Sequence, residues 1–107
     1  MTRPPDADLL LGVDAGTTLC KAALYAPDGC CLAVGAAKQG IASPTPGWAE
    51  QQPADWWRGL RRAVRQALAS SGIAGDRIAA IGLSTQGGTL AVFDADGRPR
   101  GPALVWS

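Results

Sequence analysis

The chain has 107 residues, enough for one small domain or part of a larger one. With 47% hydrophobic residues it can bury a core, and ten basic against nine acidic residues leave a net charge of +1. Composition therefore excludes a disordered chain and offers no electrostatic footprint for nucleic acid or a membrane surface. There is no histidine, so any catalysis rests on carboxylates, hydroxyls, lysine or backbone groups.

The opening stretch MTRPPDAD, residues 1–8, is polar and Pro-rich and reads as a disordered leader. Leu9 to Val13 is a continuous apolar run, of the kind that forms a strand buried on both faces. It is too short for a signal-peptide core and ends in Asp14, and no transmembrane segment follows, so a soluble cytoplasmic protein is the default expectation. Gly16 permits a tight turn, and Leu19 to Ala26 reads as a second strand. Pro27 to Cys30 carries an Asp-Gly turn signal, and Cys31 to Lys38 returns as a third strand, which predicts a three-stranded antiparallel meander. Cys20, Cys30 and Cys31 fit no zinc spacing and are expected as small apolar strand residues in a reducing compartment.

KQGIASPTPGW, residues 38–48, is a loop rich in Gly, Pro and Ser. Pro53 then opens a helix with Asp55 in its first turn, and Gly72 supplies the stop. Trp56, Trp57, Leu60, Ala63, Val64, Ala67 and Leu68 fall on one face as expected core residues, while Arg58, Arg61, Arg62 and Arg65 form a solvated face. Trp48 is expected to plug the loop. RIAAIGLS, residues 77–84, predicts a fourth buried strand, parallel to an earlier one after the helical crossover. TLAVFDADGRPRGPALVW, residues 89–106, predicts a strand, an Asp-Gly turn and another strand.

DAGTT, residues 14–18, is where chemistry concentrates. A carboxylate and two hydroxyls at the end of a buried strand cost stability unless they have partners. In one reading the Gly-rich turn aims backbone N–H groups at a phosphate, with Gly16, Thr17, Thr18 and Lys21 as donors and Asp14 holding magnesium through its waters. In the other it is an ordinary hairpin with Asp14 capping the turn. It is not a Walker loop, since no Gly-Lys-Ser/Thr follows.

Four segments together bear on the choice. GWAEQQPADWW, residues 47–57, resembles the Gly-Trp-x-Glu stretch and Pro-x-x-Trp-Trp helix start of the FGGY family of carbohydrate kinases, xylulokinase and glycerol kinase among them. DAGTT with Lys21 resembles that family's first phosphate loop. IAAIGLSTQGG, residues 78–88, resembles its substrate-side strand, and GRPRGPALVWS, residues 97–107, the segment ending in Trp before an Asp-x-Arg.

The resemblance implies an α/β chain of the ribonuclease H-like, actin-type ATPase fold, present in part: the meander followed by a helix and returning strands. It implies ATP-dependent phosphorylation of a sugar or polyol hydroxyl, with ATP and magnesium as cofactors and no nucleic-acid or membrane partner. Asp14 then positions the metal and the transferred phosphate, Gly16, Thr17, Thr18 and Lys21 meet the nucleotide's phosphates, and Gln86, Gly87 and Gly88 line the sugar site. Some members carry Arg-Glu or Met-His after the glutamine; Gly87 and Gly88 stand there instead, so the sugar and the hydroxyl are not specified. The family's general base, a later Asp, and its second domain both lie beyond the matched segments. Residues 9–107 are therefore expected to be the truncated N-terminal portion of the first domain, inactive alone and partnered by a missing C-terminal part. Two alternatives remain: a chaperone-type ATPase of the same superfold, against which the helix entry argues, and a non-enzymatic truncated remnant.

Overall fold

Strand β1 (Leu9–Ala15), strand β2 (Leu19–Tyr25) and strand β3 (Cys31–Lys38) alternate their side chains between a covered and an open face. The computed structural model describes residues 7–105. Leu9, Leu11 and Val13 of β1, Cys20, Ala22 and Leu24 of β2 and Ala37 of β3 are buried on the covered face. Leu10, Asp14, Lys21 and Tyr25 point to the open face and are exposed. The first strand is thus buried on one face only, contrary to the expectation from its apolar run, because a helix covers just one side of the sheet.

That helix, α1 (Pro53–Ser71), packs on β3 and β2 and only grazes β1. It starts on Pro53, carries the exposed Asp55–Arg58 ion pair (3.0 Å) in its first turns, and ends where Gly72 turns left-handed (φ 69°) and donates its N–H to the Leu68 carbonyl. Its closest approach to the sheet is at Gly35, where a Cβ would overlap the Ala63 carbonyl oxygen and sit 2.8 Å from Ala67 N. Three small residues, Gly35, Ala63 and Ala67, therefore set the helix–sheet distance. The arginine face is exposed, as expected. Trp57 departs from expectation: it is 61% exposed rather than a core residue, because it overhangs the sheet edge that α1 does not cover.

A single 3₁₀ turn at Gly75–Arg77 leads into strand β5 (Ile78–Thr85), which pairs parallel with β1 and completes a sheet of order β3-β2-β1-β5, where β4 denotes the two-residue strand Glu50–Gln51 outside it. The meander and the parallel return are as predicted. Burial of β5 is not: Ile81 is 66% and Leu83 63% exposed, since β5 is an edge strand and α1 sits over the other end of the sheet.

The last segment forms less strand than predicted. The turn at Asp94–Gly97 is present, with Asp94 Oδ1 accepting from the N–H groups of Asp96 and Arg98 (2.9 Å each). Its flanks, however, meet only in the isolated bridges Phe93–Pro99 and Leu90–Leu104, and strand β6 (Ala103–Leu104) pairs with β4. Trp106, expected to end that strand, lies outside the described residues, as do Ser107 and residues 1–6 of the expected leader. Ala7 is buried, and Asp8 both donates its N–H to the Arg77 carbonyl (3.1 Å) and pairs with the Arg77 side chain (2.9 Å).

The loop after β3 folds back through the Ala42–Glu50 bridge and leaves Trp48 at its tip, 57% exposed, so it plugs nothing. Cys20 is a buried thiol, but Cys30 and Cys31 are exposed, because they sit in and just after the β2–β3 turn, away from α1.

Candidate functional site: the β1–β2 hairpin and the glutamine behind it

The β1–β2 hairpin closes tightly. Gly16 N–H donates to the Leu19 carbonyl (3.0 Å), and a Cβ on Gly16 would stand 2.7 Å from that same oxygen, so only glycine fits without a shift. Thr17 and Thr18 form the tip. The hairpin register places Lys21 of β2 directly opposite Asp14, and the parallel register places Ser84 of β5 on its other side. Register partners on neighbouring strands share a face of the sheet, so a carboxylate, an ammonium and a hydroxyl converge on the open face. They line a cavity of about 630 Å³ together with Gly12, Tyr25 and Gly82.

Among the described residues the ion pairs are Arg58–Asp55 and Arg77–Asp8, so neither Asp14 nor Lys21 is held in one. Asp14 also acts through the strand: burial first, and the nearby Asp14 carboxylate second, push the Cys20 thiol up from its ordinary value. Among the described residues no three His, Cys, Asp or Glu side chains come together. A magnesium ion that arrives with phosphate oxygens and keeps its waters needs only one or two carboxylates. Asp14, exposed beside a free ammonium, fits that demand; the donor set suits a metal–phosphate ligand.

Gln86 lies elsewhere. Its backbone N–H donates to the Ala15 carbonyl (3.0 Å), which ties the end of β5 to the hairpin, but its side chain turns to the helix side of the sheet. There its Nε2 donates to Gln51 Oε1 (3.0 Å), while its own Oε1 is buried without a partner. With Ala15, Trp56, Leu60, Thr85 and Thr89 it lines a second, mainly apolar cavity of about 450 Å³. Gly87 has open space around it, and Gly88 takes a left-handed conformation (φ 64°). The structure thus sets Asp14 and Lys21 side by side on one cavity, with the Gly16–Thr18 turn next to them in the chain but outside that lining and the Gly16 N–H, expected as a phosphate donor, committed to Leu19; Gln86 is joined to them only through intermediaries.

Two residues of this arrangement were not singled out from sequence. Ser84 is readable in retrospect as the polar residue ending β5 in the same register as Asp14. Gln51 is the buried hub: its Nε2 donates to the carbonyls of Thr17 (2.7 Å) and Gly40 (3.1 Å), and its Oε1 accepts from Trp56 Nε1 (2.8 Å) and from Gln86. Its only sequence signal is its place just before the Pro-opened helix.

Known proteins match along this same stretch. Residues 9–107 match the FGGY family of carbohydrate kinases, N-terminal domain. A glycerol kinase of Citrifermentans bemidjiense is 37% identical over 100 residues, covering 92% of this chain and 20% of that protein. The L-xylulose/3-keto-L-gulonate kinase of Escherichia coli is 37% identical over 97 residues, covering 91% of this chain and 20% of that protein. The crystal structure of xylulose kinase from Rhodospirillum rubrum superposes with a TM-score of 0.83 at 28% identity, over 91% of this chain and 20% of that one. The sheet, its crossover helix and the parallel return are thus the opening of the actin-like ATPase fold of those sugar kinases, and the chain spans about a fifth of the length of the relatives it matches. With that domain matched from Leu9 onward, the chain belongs to the FGGY family of carbohydrate kinases.

Proposed function

We propose that this chain supplies the phosphate-facing hairpin of an ATP-dependent kinase that phosphorylates a hydroxyl of a sugar or polyol. The observation that carries the reading is the register-locked convergence of Asp14, Lys21 and Ser84 on one open face beside the Gly16–Thr18 tip. Asp14 is the residue that would hold magnesium through its waters, and Lys21, the threonine hydroxyls and the tip's backbone would meet the transferred phosphate. Magnesium, when bound, neutralises charge on the phosphate oxygens. The chain's own part is positioning: strand register fixes the carboxylate and ammonium side by side, and the tight turn fixes the tip.

Gln86, Gly87 and Gly88, at the end of β5, are the substrate-side residues of this reading. Gly87, with open space where a side chain would stand, leaves room on that side. The general base that would take the hydroxyl proton is assigned to no residue of this chain, and the segment after residue 107 in the family pattern is the partner the reading requires. No helix among the described residues is long and apolar enough to cross a membrane, and the reading places the protein in the cytoplasm, where ATP is supplied.

The test is an ADP-release assay on the protein expressed from its complete reading frame, with Mg·ATP and a panel of glycerol, pentuloses, hexoses and sugar acids. Turnover with one member of the panel supports the reading. No turnover with any of them, in a folded protein that also fails to bind Mg·ATP, defeats it.

A further inference from the structure

We propose that Gln51 is a positioning residue for the phosphate hairpin, holding its tip in place from behind and linking it to the end of β5. This inference rests on the kinase reading of that hairpin. Gln51 is 4% exposed and all of its amide's polar atoms are engaged, in four hydrogen bonds to four different segments.

The partners dictate the amide's orientation. An indole N–H can only donate, so the atom facing Trp56 is Oε1. Backbone carbonyls can only accept, so the atom facing Thr17 and Gly40 is Nε2. The group of Gln86 that meets Gln51 Oε1 must then be its NH₂, as observed. A flip of either amide would set donor against donor or acceptor against acceptor. The helix therefore reads out, through Trp56, which way Gln51 points, and Gln51 fixes the Thr17 carbonyl at the hairpin tip. A second bond holds the tip from the same side, from Gln39 N–H to the Thr18 carbonyl (2.8 Å). With their carbonyls held behind, the peptide units of Thr17 and Thr18 keep one orientation. Gln51 touches neither face of the 630 Å³ cavity and is not among the residues lining it, so its effect passes through Thr17.

The test uses the protein expressed from its complete reading frame, with Mg·ATP as the probe. Gln51→Met keeps the volume and loses all four bonds; a residue that only fills space tolerates it. Hydrogen exchange at Gly16, whose N–H is bonded to the Leu19 carbonyl across the turn, measured without nucleotide, is expected to speed up about tenfold, as loss of a buried hydrogen bond frees a local segment. Exchange at Leu11 and Leu24 speeds up only by the smaller factor that tracks the fall in Tm expected when four buried partners lose their bonds, and the Kd for Mg·ATP rises about tenfold. Trp56→Phe removes the indole N–H together with part of the ring, leaves the Gln51 bonds to Thr17, Gly40 and Gln86 in place, and shifts both readouts in the same direction by a smaller factor, which decides the matter should the methionine variant fail to fold. Unchanged hairpin exchange in the folded variant, or faster exchange with unchanged Kd, overturns the proposal. Because exchange is compared without nucleotide, a parent protein that never bound Mg·ATP would defeat the kinase reading while Gln51 is still judged by exchange alone.

Discussion

Asp14 and Lys21 face each other across the β1–β2 ladder as direct register partners, and neither is committed to an ion pair among the described residues. Exposed opposite charges gain little from each other in water. Side by side and unpaired, they form a small field of mixed sign, a cation for phosphate oxygens next to an anion for a metal's waters. Two features keep them there: the tight Gly16 turn, which sets the register, and the parallel pairing of β5, which keeps β1 from slipping.

The helix–sheet contact predicts a large effect from a small change. Gly35→Val places a branched side chain where even a Cβ would overlap the Ala63 carbonyl oxygen. Overpacking a fixed contact costs about 1–3 kcal/mol. Urea denaturation should show a loss of at least that size, and Gly35→Ala a smaller loss in the same direction. A change within about 0.5 kcal/mol for the valine variant, the range of an ordinary surface substitution, would mean that α1 does not rest on Gly35.

Much of this was legible beforehand, and the failures share a cause. The starts of β1, β2 and β3, the start of α1 at Pro53 and its stop at Gly72, and the parallel return of β5 all follow from local periodicity and turn chemistry, while β1 runs two residues further than its apolar run, to Ala15, and β2 ends one residue earlier, at Tyr25. What periodicity does not say is which faces a neighbour covers. Leu10, Trp57, Ile81 and Leu83 look like core residues and stand exposed, because one helix covers one part of one face. The site divides similarly. Asp14, Lys21 and the turn are local features. Gln51 is a polar residue in a polar stretch until residues 39–51 fold across the back of the hairpin, and only tertiary structure buries it.

The exposed apolar edge predicts how the 107-residue chain behaves by itself. Trp57, Ile81 and Leu83 stand together along a groove between α1 and β5, beside an unpaired strand edge. The chain should bind a hydrophobic dye and associate on size exclusion, and Leu83→Glu should reduce both. A sharp monomer peak without dye binding in the unaltered chain would contradict this.

Cysteine reactivity provides a pH test. Cys30 and Cys31 should react with a thiol reagent rapidly and Cys20 only on opening, since it is buried and its thiol is pushed up by burial and by Asp14. A raised pKa means the folded state holds its proton where the unfolded state has lost it. The stability tied to Cys20 is therefore fully present below the ordinary thiol range and falls as pH rises through and above it. Between about pH 8 and 10, spanning that range, Tm should fall less steeply in Cys20→Ala than in the unaltered chain. Equal slopes would contradict the assignment.

The most direct test of the phosphate reading is Asp14→Asn in the protein expressed from its complete reading frame, compared with the unaltered protein at saturating substrate. The change keeps size and shape and removes the charge. Asparagine caps a turn about as well as aspartate, so a purely structural Asp14 leaves both Tm and kcat near normal. A carboxylate that holds a metal's waters beside the transferred phosphoryl group acts chiefly in the transition state, and losing it costs on the order of a hundred-fold in rate. The account predicts that fall in kcat with Tm unchanged; near-normal turnover in a folded Asp14→Asn protein would contradict it.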